Sequence, residues 1–93
     1  MDLCIVVHIK SKYDSWKAIF DKDPGNRNSF VDENRTRVGK VDDNMAIVQL
    51  FDVDMPKMAK MMNDPNSPVK EVMEEHVVKQ EIYTITKMVP PGS

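Results

Sequence analysis

Three side chains in the sequence have the right chemistry for general acid or base catalysis, namely His8, His76 and Tyr83. Imidazole titrates near neutral pH without any perturbation of its pKa, and a phenol can donate a proton or a hydrogen bond to a substrate carbonyl. Glu74 and Glu75 beside His76 could join the histidines around a metal ion, although the chain has no metal-binding spacing signature. His8, His76 and Tyr83 are therefore the candidate catalytic residues, and a structural or surface role is the commoner alternative for each.

The candidate ligand-binding side chains are Trp16, Tyr13 and Arg37. Trp16 is the only tryptophan of the chain, and an aromatic residue at helical spacing normally packs into a core. The same residue can also line an apolar cavity in which a flat molecule binds. Arg37 could hold a carboxylate through two parallel hydrogen bonds, although such an arginine more often keeps a strand edge soluble.

No metal or cofactor is expected. The single cysteine, Cys4, excludes an intrachain disulfide and a cysteine-based metal cluster within one chain. Eight methionines invite a soft-metal interpretation, because thioethers bind such ions. Four of them instead repeat at helical spacing, which is typical of adaptable core filling; they are Met55, Met58, Met61 and Met62.

Composition narrows the class of protein. The chain has 93 residues, with 30% charged and 41% hydrophobic residues and a net charge of −2, which predicts one globular domain over 1–93. The absence of a basic cluster argues against nucleic-acid binding, and the absence of an apolar run of about 20 residues argues against a membrane span. We expect a soluble cytoplasmic protein with a flexible tail at 88–93.

The first third of the chain predicts a strand followed by a helix. Residues 3–9 are rich in β-branched side chains and short enough to form a buried strand. Ser11 offers a helix N-cap, and an apolar stripe of Tyr13, Trp16, Ile19 and Phe20 follows. Proline and glycine at 23–26 predict the turn that ends this helix.

The remaining elements are predicted from alternation, capping residues and turn residues. They are strands at 36–41 and 45–53 around a turn at 42–44, a helix capped by Asp54, a break at 63–66, a helical segment from Ser67, and a last strand within 77–88.

The resulting order is β-α-β-β-α-β, and an internal comparison supports it. With a shift of 42 residues, the aromatic stripe of the first helix falls on the four spaced methionines, and Ile5 and Val6 fall on Ile47 and Val48. Two split β-α-β units predict an α+β ferredoxin-like plait, with a four-stranded antiparallel sheet and the helices on one face. In that topology the first and last strands are neighbours, so His8 and His76 should lie toward the same end of the sheet.

The other face of the sheet predicts a partner. The first strand directs Leu3, Ile5, Val7 and Ile9 to one side, which should meet the helices. Its other side carries Cys4, Val6, His8 and Lys10. This mixed set is too apolar to face water comfortably, so a homodimer through the open sheet face is expected.

At this point the sequence resembles the dimeric α+β barrel proteins, a ferredoxin-like superfamily. The segments that carry the resemblance are "YDSWKAIFD" at 13–21, "VQLFDVDMPKM" at 48–58, "DPNSPVKEVM" at 64–73 and "VVKQEIY" at 77–83. Within the superfamily the chain is most similar to small bacterial proteins related to antibiotic-biosynthesis monooxygenases. The resemblance implies a homodimer with sheets packed face to face, and activities that range from cofactor-independent oxygenases, cyclases and isomerases to no catalysis at all.

Three classes of function follow from these observations. The first is a cofactor-independent enzyme acting on a small apolar or aromatic substrate, and the second is a non-catalytic ligand-binding or regulatory homodimer. The third, a nucleic-acid or metal-handling domain, is disfavoured by the charge and by the lack of a Cys-x-x-Cys motif. A cavity around Trp16 that also contained Tyr83 or His8 would favour the enzyme.

Overall fold

The computed structural model describes residues 1–22, 27–86, 88 and 91–92. The predicted turn at 23–26, and most of the tail expected at 88–93, lie outside the described residues. Two short 3₁₀ turns, Arg27–Ser29 and Glu33–Arg35, connect the first helix to the second strand. The strands and helices are β1 Leu3–Ile9, α1 Tyr13–Lys22, β2 Arg37–Asp42, β3 Met45–Leu50, α2 Met55–Asn63, α3 Pro68–His76 and β4 Val77–Thr84.

The four strands form one antiparallel sheet in the order β2-β3-β1-β4. Opposite pairs include Ile5 with Val48 of β3 and Ile5 with Ile82 of β4, so β1 is paired on both of its edges. The predicted α+β class, the four-stranded antiparallel sheet and the neighbouring positions of β1 and β4 are confirmed. This arrangement is compatible with a ferredoxin-like fold.

Alternation along β1 separates the two faces of the sheet as the sequence predicts. The apolar set that shares a face, Leu3, Ile5, Val7 and Ile9, is between 1% and 5% exposed. These side chains form one core with Trp16 of α1 and Met58 of α2, so the helices cover this face of the sheet. The alternate side chains of β1 are half-buried and lie on the open face.

The caps of the second half follow the predicted chemistry. The Asp54 side chain accepts a hydrogen bond from the backbone N–H of Lys57 at 3.2 Å, and Ser67 accepts one from Val69 at 3.3 Å. Proline follows each cap at a position where its missing N–H leaves no helical bond unmade.

The predicted N-cap of α1 is wrong by one residue. The helix begins at Tyr13, whose backbone N–H donates to the Asp43 carbonyl at 2.6 Å, and the Lys12 carbonyl accepts the bond from Trp16 N–H at 3.0 Å. The Ser11 hydroxyl is instead hydrogen-bonded to His76 Nδ1 at 2.9 Å. The β2–β3 turn therefore supplies an acceptor for the first N–H of the helix, which has no partner within the helix.

The 42-residue repeat relates equivalent positions in the helices, but in the strands it relates residues that face opposite sides of the sheet. Trp16 and Met58 are 42 positions apart, and each is the buried residue of its helix. Ile5, by contrast, faces the helices, whereas Ile47 lies on the open face and is 36% exposed. Because side chains alternate with a period of two, a slip of one residue moves a side chain to the other face.

Strand β3 ends earlier than the predicted position 53, and the backbone at Asp52 explains why. Asp52 has φ 53°, in the left-handed region that breaks an extended strand. Its N–H donates to the Asp2 carboxylate at 3.0 Å, and its own carboxylate accepts from Arg35 at 3.2 Å. These bonds hold the chain in the reversal that leads into α2.

Replacing the α2 cap tests how this helix is held. We expect Asp54→Ala to lower the free energy of unfolding by about 1 kcal/mol, because the Lys57 N–H loses its acceptor. Asp54→Asn keeps an acceptor oxygen and should retain most of that free energy, as measured by urea denaturation followed by circular dichroism. Equal losses in the two variants would contradict the capping role.

Candidate functional site

A pocket of about 130 Å³ lies between the helices and the sheet. Its floor is formed by inward-facing residues of the two central strands, Ile5 and Val7 of β1 with Val48 and Leu50 of β3. These are buried β-branched or leucine side chains held in fixed register by the ladder, so the floor is rigid as well as apolar.

Helix α1 supplies an aromatic wall. Trp16 is 5% exposed and lines the pocket together with Ile19 and Phe20. The rings of Trp16 and Phe20 lie with centroids 5.2 Å apart at an interplanar angle of 36°, and Tyr13 stacks behind Trp16 at 5.9 Å. Trp16 is therefore a core residue whose ring also borders the pocket, which unites the two interpretations of its sequence position.

Helices α2 and α3 supply a thioether wall of the pocket. Met58, Met61 and Met62 of α2 and Met73 of α3 line the pocket, beside Val69 and Val72. Methionine is unbranched and has three rotatable side-chain bonds, so this wall can change shape at low cost. The pocket thus has a rigid side and an adaptable side.

Arg27 closes one part of the pocket with its charge already paired. Its guanidinium donates to both carboxylate oxygens of Glu33 at 3.0–3.3 Å and to the Phe20 carbonyl at 2.9 Å. The guanidinium carbon lies 3.7 Å from the centroid of the Phe20 ring, and the side chain is 14% exposed. These contacts hold the guanidinium over the Phe20 ring, since its planar shape suits both stacking and bidentate pairing.

Gln80 is the other polar residue that lines the pocket. Of the described residues that line the pocket, only Arg27 and Gln80 are polar. Gln80 lies opposite Val7 in the β1–β4 pairing, and therefore on the face that the helices cover. Its side-chain amide donates to the Met73 sulfur at 3.6 Å.

The open face of the sheet holds a separate titratable cluster. His8 Nε2 lies 2.8 Å from a carboxylate oxygen of Glu81, and the Tyr83 hydroxyl donates to the other oxygen at 3.3 Å. The bond from His8 is the main cause that lowers the pKa of Glu81 below its ordinary value. The negative charge of Glu81 in turn raises the pKa of the Tyr83 phenol.

The three candidate catalytic residues are thus not in the pocket. His8 and Tyr83 share Glu81 on the open face, whereas the pocket is on the opposite face. His76 does lie at the same end of the sheet as His8, since its carbonyl accepts from Lys10 N–H at 2.7 Å. Each imidazole nevertheless has its own partner, Glu81 for His8 and Ser11 for His76.

The candidate ligand-binding residues are also divided. Trp16 lines the pocket, and Tyr13 stands behind it with the Lys40 ammonium 5.3 Å from its ring centroid. Arg37 is exposed on β2, where it donates to the carbonyls of Asn34 at 3.2 Å and Thr36 at 3.0 Å. Of these three residues, the structure places one at the pocket.

Sequence reasoning missed both polar residues of the pocket. The inward orientation of Gln80 could have been predicted, because Gln80 is two residues from Ile82 on β4 and alternate residues of a strand face the same side. The run Lys79-Gln80-Glu81 masks that signal, since three consecutive polar residues resemble a solvated edge. Arg27 has no local sequence signal, because its stacking on Phe20 is a tertiary contact that no residue spacing predicts.

Comparison with protein-family models, curated proteins and solved structures finds no match to this chain. Within the described ranges, no group of three or more His, Cys, Asp or Glu side chains is arranged to hold a metal ion. Among the helices in those ranges, none combines the length and apolar character that a membrane crossing requires. Geometry and chemistry of the site therefore carry the functional argument.

The Glu81 cluster makes stability depend on pH in a defined direction. Because the folded pKa of Glu81 is lowered, its contribution is present above about pH 5 and is lost as the pH falls through that lowered pKa. We expect Glu81→Gln to be less stable than the wild type at pH 7, and the two stabilities to converge toward pH 3, by urea denaturation at low salt.

Glu74→Gln provides the matched control, since Glu74 is exposed on α3. Its difference from the wild type should vary less with pH. A Glu81→Gln difference that stayed constant between pH 7 and pH 3 would show that the His8 contact does not govern this ionisation.

Proposed function

We propose that the protein binds a small, neutral, predominantly apolar molecule in the pocket between its helices and its sheet, without catalysing a reaction on it. The observation that carries this proposal is the lining of the pocket, which joins a rigid aromatic wall to an adaptable thioether wall. Ligand sites in proteins are typically concave and mostly apolar, with a few placed polar groups.

The volume of the pocket is suited to a ligand of about one aromatic ring. Drug-sized ligand sites occupy roughly 300–1,000 Å³, so the pocket of about 130 Å³ is smaller than such sites. An engineered apolar cavity of about 150 Å³ is known to stay dry and to bind benzene. The methionine wall could enlarge the space by changes of rotamer, which would admit a substituted ring.

The placement of the titratable groups favours binding over catalysis. A cofactor-independent oxygenase, cyclase or isomerase needs a general acid or base within hydrogen-bond reach of its substrate. His8 and Tyr83 are turned to the open face, and His76 is engaged with Ser11. The polar groups at the pocket are an amide and an ion-paired guanidinium, which are poor proton-transfer groups near neutral pH.

Toluene is a suitable probe of the pocket, and the emission of Trp16 and thermal unfolding report its binding. At about ten times its Kd, toluene should raise the free energy of unfolding by about 1.4 kcal/mol, with a matching increase in Tm. The bound ring would also change the Trp16 emission, because Trp16 lines the pocket.

Val72→Phe should abolish both responses by filling the pocket from α3. Val78→Phe adds the same ring at a position that is 67% exposed on β4, and it should leave both responses intact. Toluene binding that survives in Val72→Phe, or that is absent from the wild type, would refute the proposed pocket function.

We also propose that a second copy of the chain covers the open face, as in the dimeric α+β barrel proteins that the sequence resembles. Support comes from the apolar strip across the two central strands, in which Val6 of β1 lies opposite Ile47 of β3. Tyr83, 52% exposed, extends this strip toward β4. A small domain buries a limited share of its surface, so covering this face would add stability.

A pair of identical substitutions on the two faces tests the dimer. Ile47→Glu places a charge on the open face, whereas Ile82→Glu places one on the helix-covered face, where Ile82 is 49% exposed. Sedimentation equilibrium at micromolar concentration should give a dimer for the wild type and for Ile82→Glu, and a monomer for Ile47→Glu. A wild-type monomer, or equal behaviour of the two variants, would contradict a dimer through the open face.

A further inference from the structure

We infer that Gln80 selects the ligand of the pocket, which would be a neutral single-ring molecule carrying one hydroxyl group, such as a phenol. This inference rests on the proposed function, because it assigns the polar end of a ligand whose apolar body the pocket accepts.

The position of Gln80 is the first argument. It stands at an inward-facing position of the edge strand β4, directly opposite the buried Val7, and is itself half-buried at the pocket. A polar group in apolar surroundings is unfavourable unless it is hydrogen-bonded. The other described residues that line the pocket are apolar except Arg27, so the Gln80 amide gains from a polar partner on that side.

The present partner of the amide is the second argument. The amide nitrogen donates to the Met73 sulfur at 3.6 Å, and a thioether is a weak acceptor. A glutamine side chain has two N–H donors and an accepting oxygen, so it can bond a hydroxyl group in either direction. A ligand hydroxyl beside Gln80 would provide a stronger partner while its ring remained among the methionines and Trp16.

The charge balance of the pocket disfavours anionic ligands. Arg27 borders the pocket, but Glu33 engages its guanidinium through both carboxylate oxygens. A ligand carboxylate would lose its hydration in an apolar space and would meet the negative charge of Glu33 beside the guanidinium, and both effects are costly. The ligand class is therefore the neutral hydroxyl compound and not the corresponding acid.

Toluene, phenol and benzoate form a matched probe set of similar size that differs in one substituent. Isothermal titration of the wild type should detect toluene and phenol and give no binding for benzoate. Gln80→Met should weaken phenol about ten-fold and leave toluene within about two-fold, because a lost hydrogen bond leaves the hydroxyl unpaired. Gln80→Met still offers a weak sulfur acceptor at position 80, whereas Gln80→Leu offers none there and should weaken phenol binding at least as much.

The outcomes separate this inference from the proposed function. If toluene binds but the affinity for phenol is the same in the wild type, Gln80→Met and Gln80→Leu, the role of Gln80 is refuted. The proposal that the pocket binds apolar molecules would then still hold. Binding of benzoate would refute the restriction to neutral ligands. If neither toluene nor phenol binds, both proposals fail together. Unchanged toluene affinity in the variants shows that they are folded and that their loss of phenol is specific.

Discussion

The pairing of β1 on both of its edges is the constraint on which the rest of the structure depends. A central strand fixes which residues face each layer, because its side chains alternate between the two sides of the sheet. Ile5 and Val7 thereby become the floor of the pocket, and His8 joins Glu81 on the opposite face. The apolar pocket and the titratable cluster are consequently kept apart by the sheet itself.

The two halves of the chain place different residue types at the equivalent buried position of the helix. Trp16 and Met58 are equivalent in the repeat, and both are buried against the sheet. An aromatic ring has two side-chain torsions and a fixed outline, whereas methionine adapts to its surroundings. The pocket lies where these unlike surfaces meet, so its outline is set in part by fixed aromatic rings and in part by rotatable methionine side chains.

The sequence could predict whatever depends on local chemistry or short periodicity. The strand at 3–9, the cap at Asp54 and the burial of Trp16 follow from alternation, capping preference and an apolar stripe. The face of Ile47 was not predictable from the repeat, because a single-residue slip between halves reverses it.

Contacts made by the tertiary fold were harder still to foresee. Two examples are the hydrogen bond from Tyr13 N–H to a carbonyl of the β2–β3 turn and the stacking of Arg27 on Phe20. No local sequence pattern predicts that these residues come into contact. The candidate site shows the same division. Its aromatic wall could be predicted from the apolar stripe of the first helix, whereas Arg27 and Gln80 reach the pocket only through the tertiary fold.

The thioether wall also has a redox consequence. Oxidation of a methionine to its sulfoxide adds a strongly polar S=O group and makes the side chain less suited to apolar packing. At Met61, Met62 or Met73 that group would lie at the surface of the pocket. At Met73 it would also turn the weak acceptor next to the Gln80 amide into a strong one. The oxidation state of the sulfur atoms therefore affects the polarity of the pocket surface.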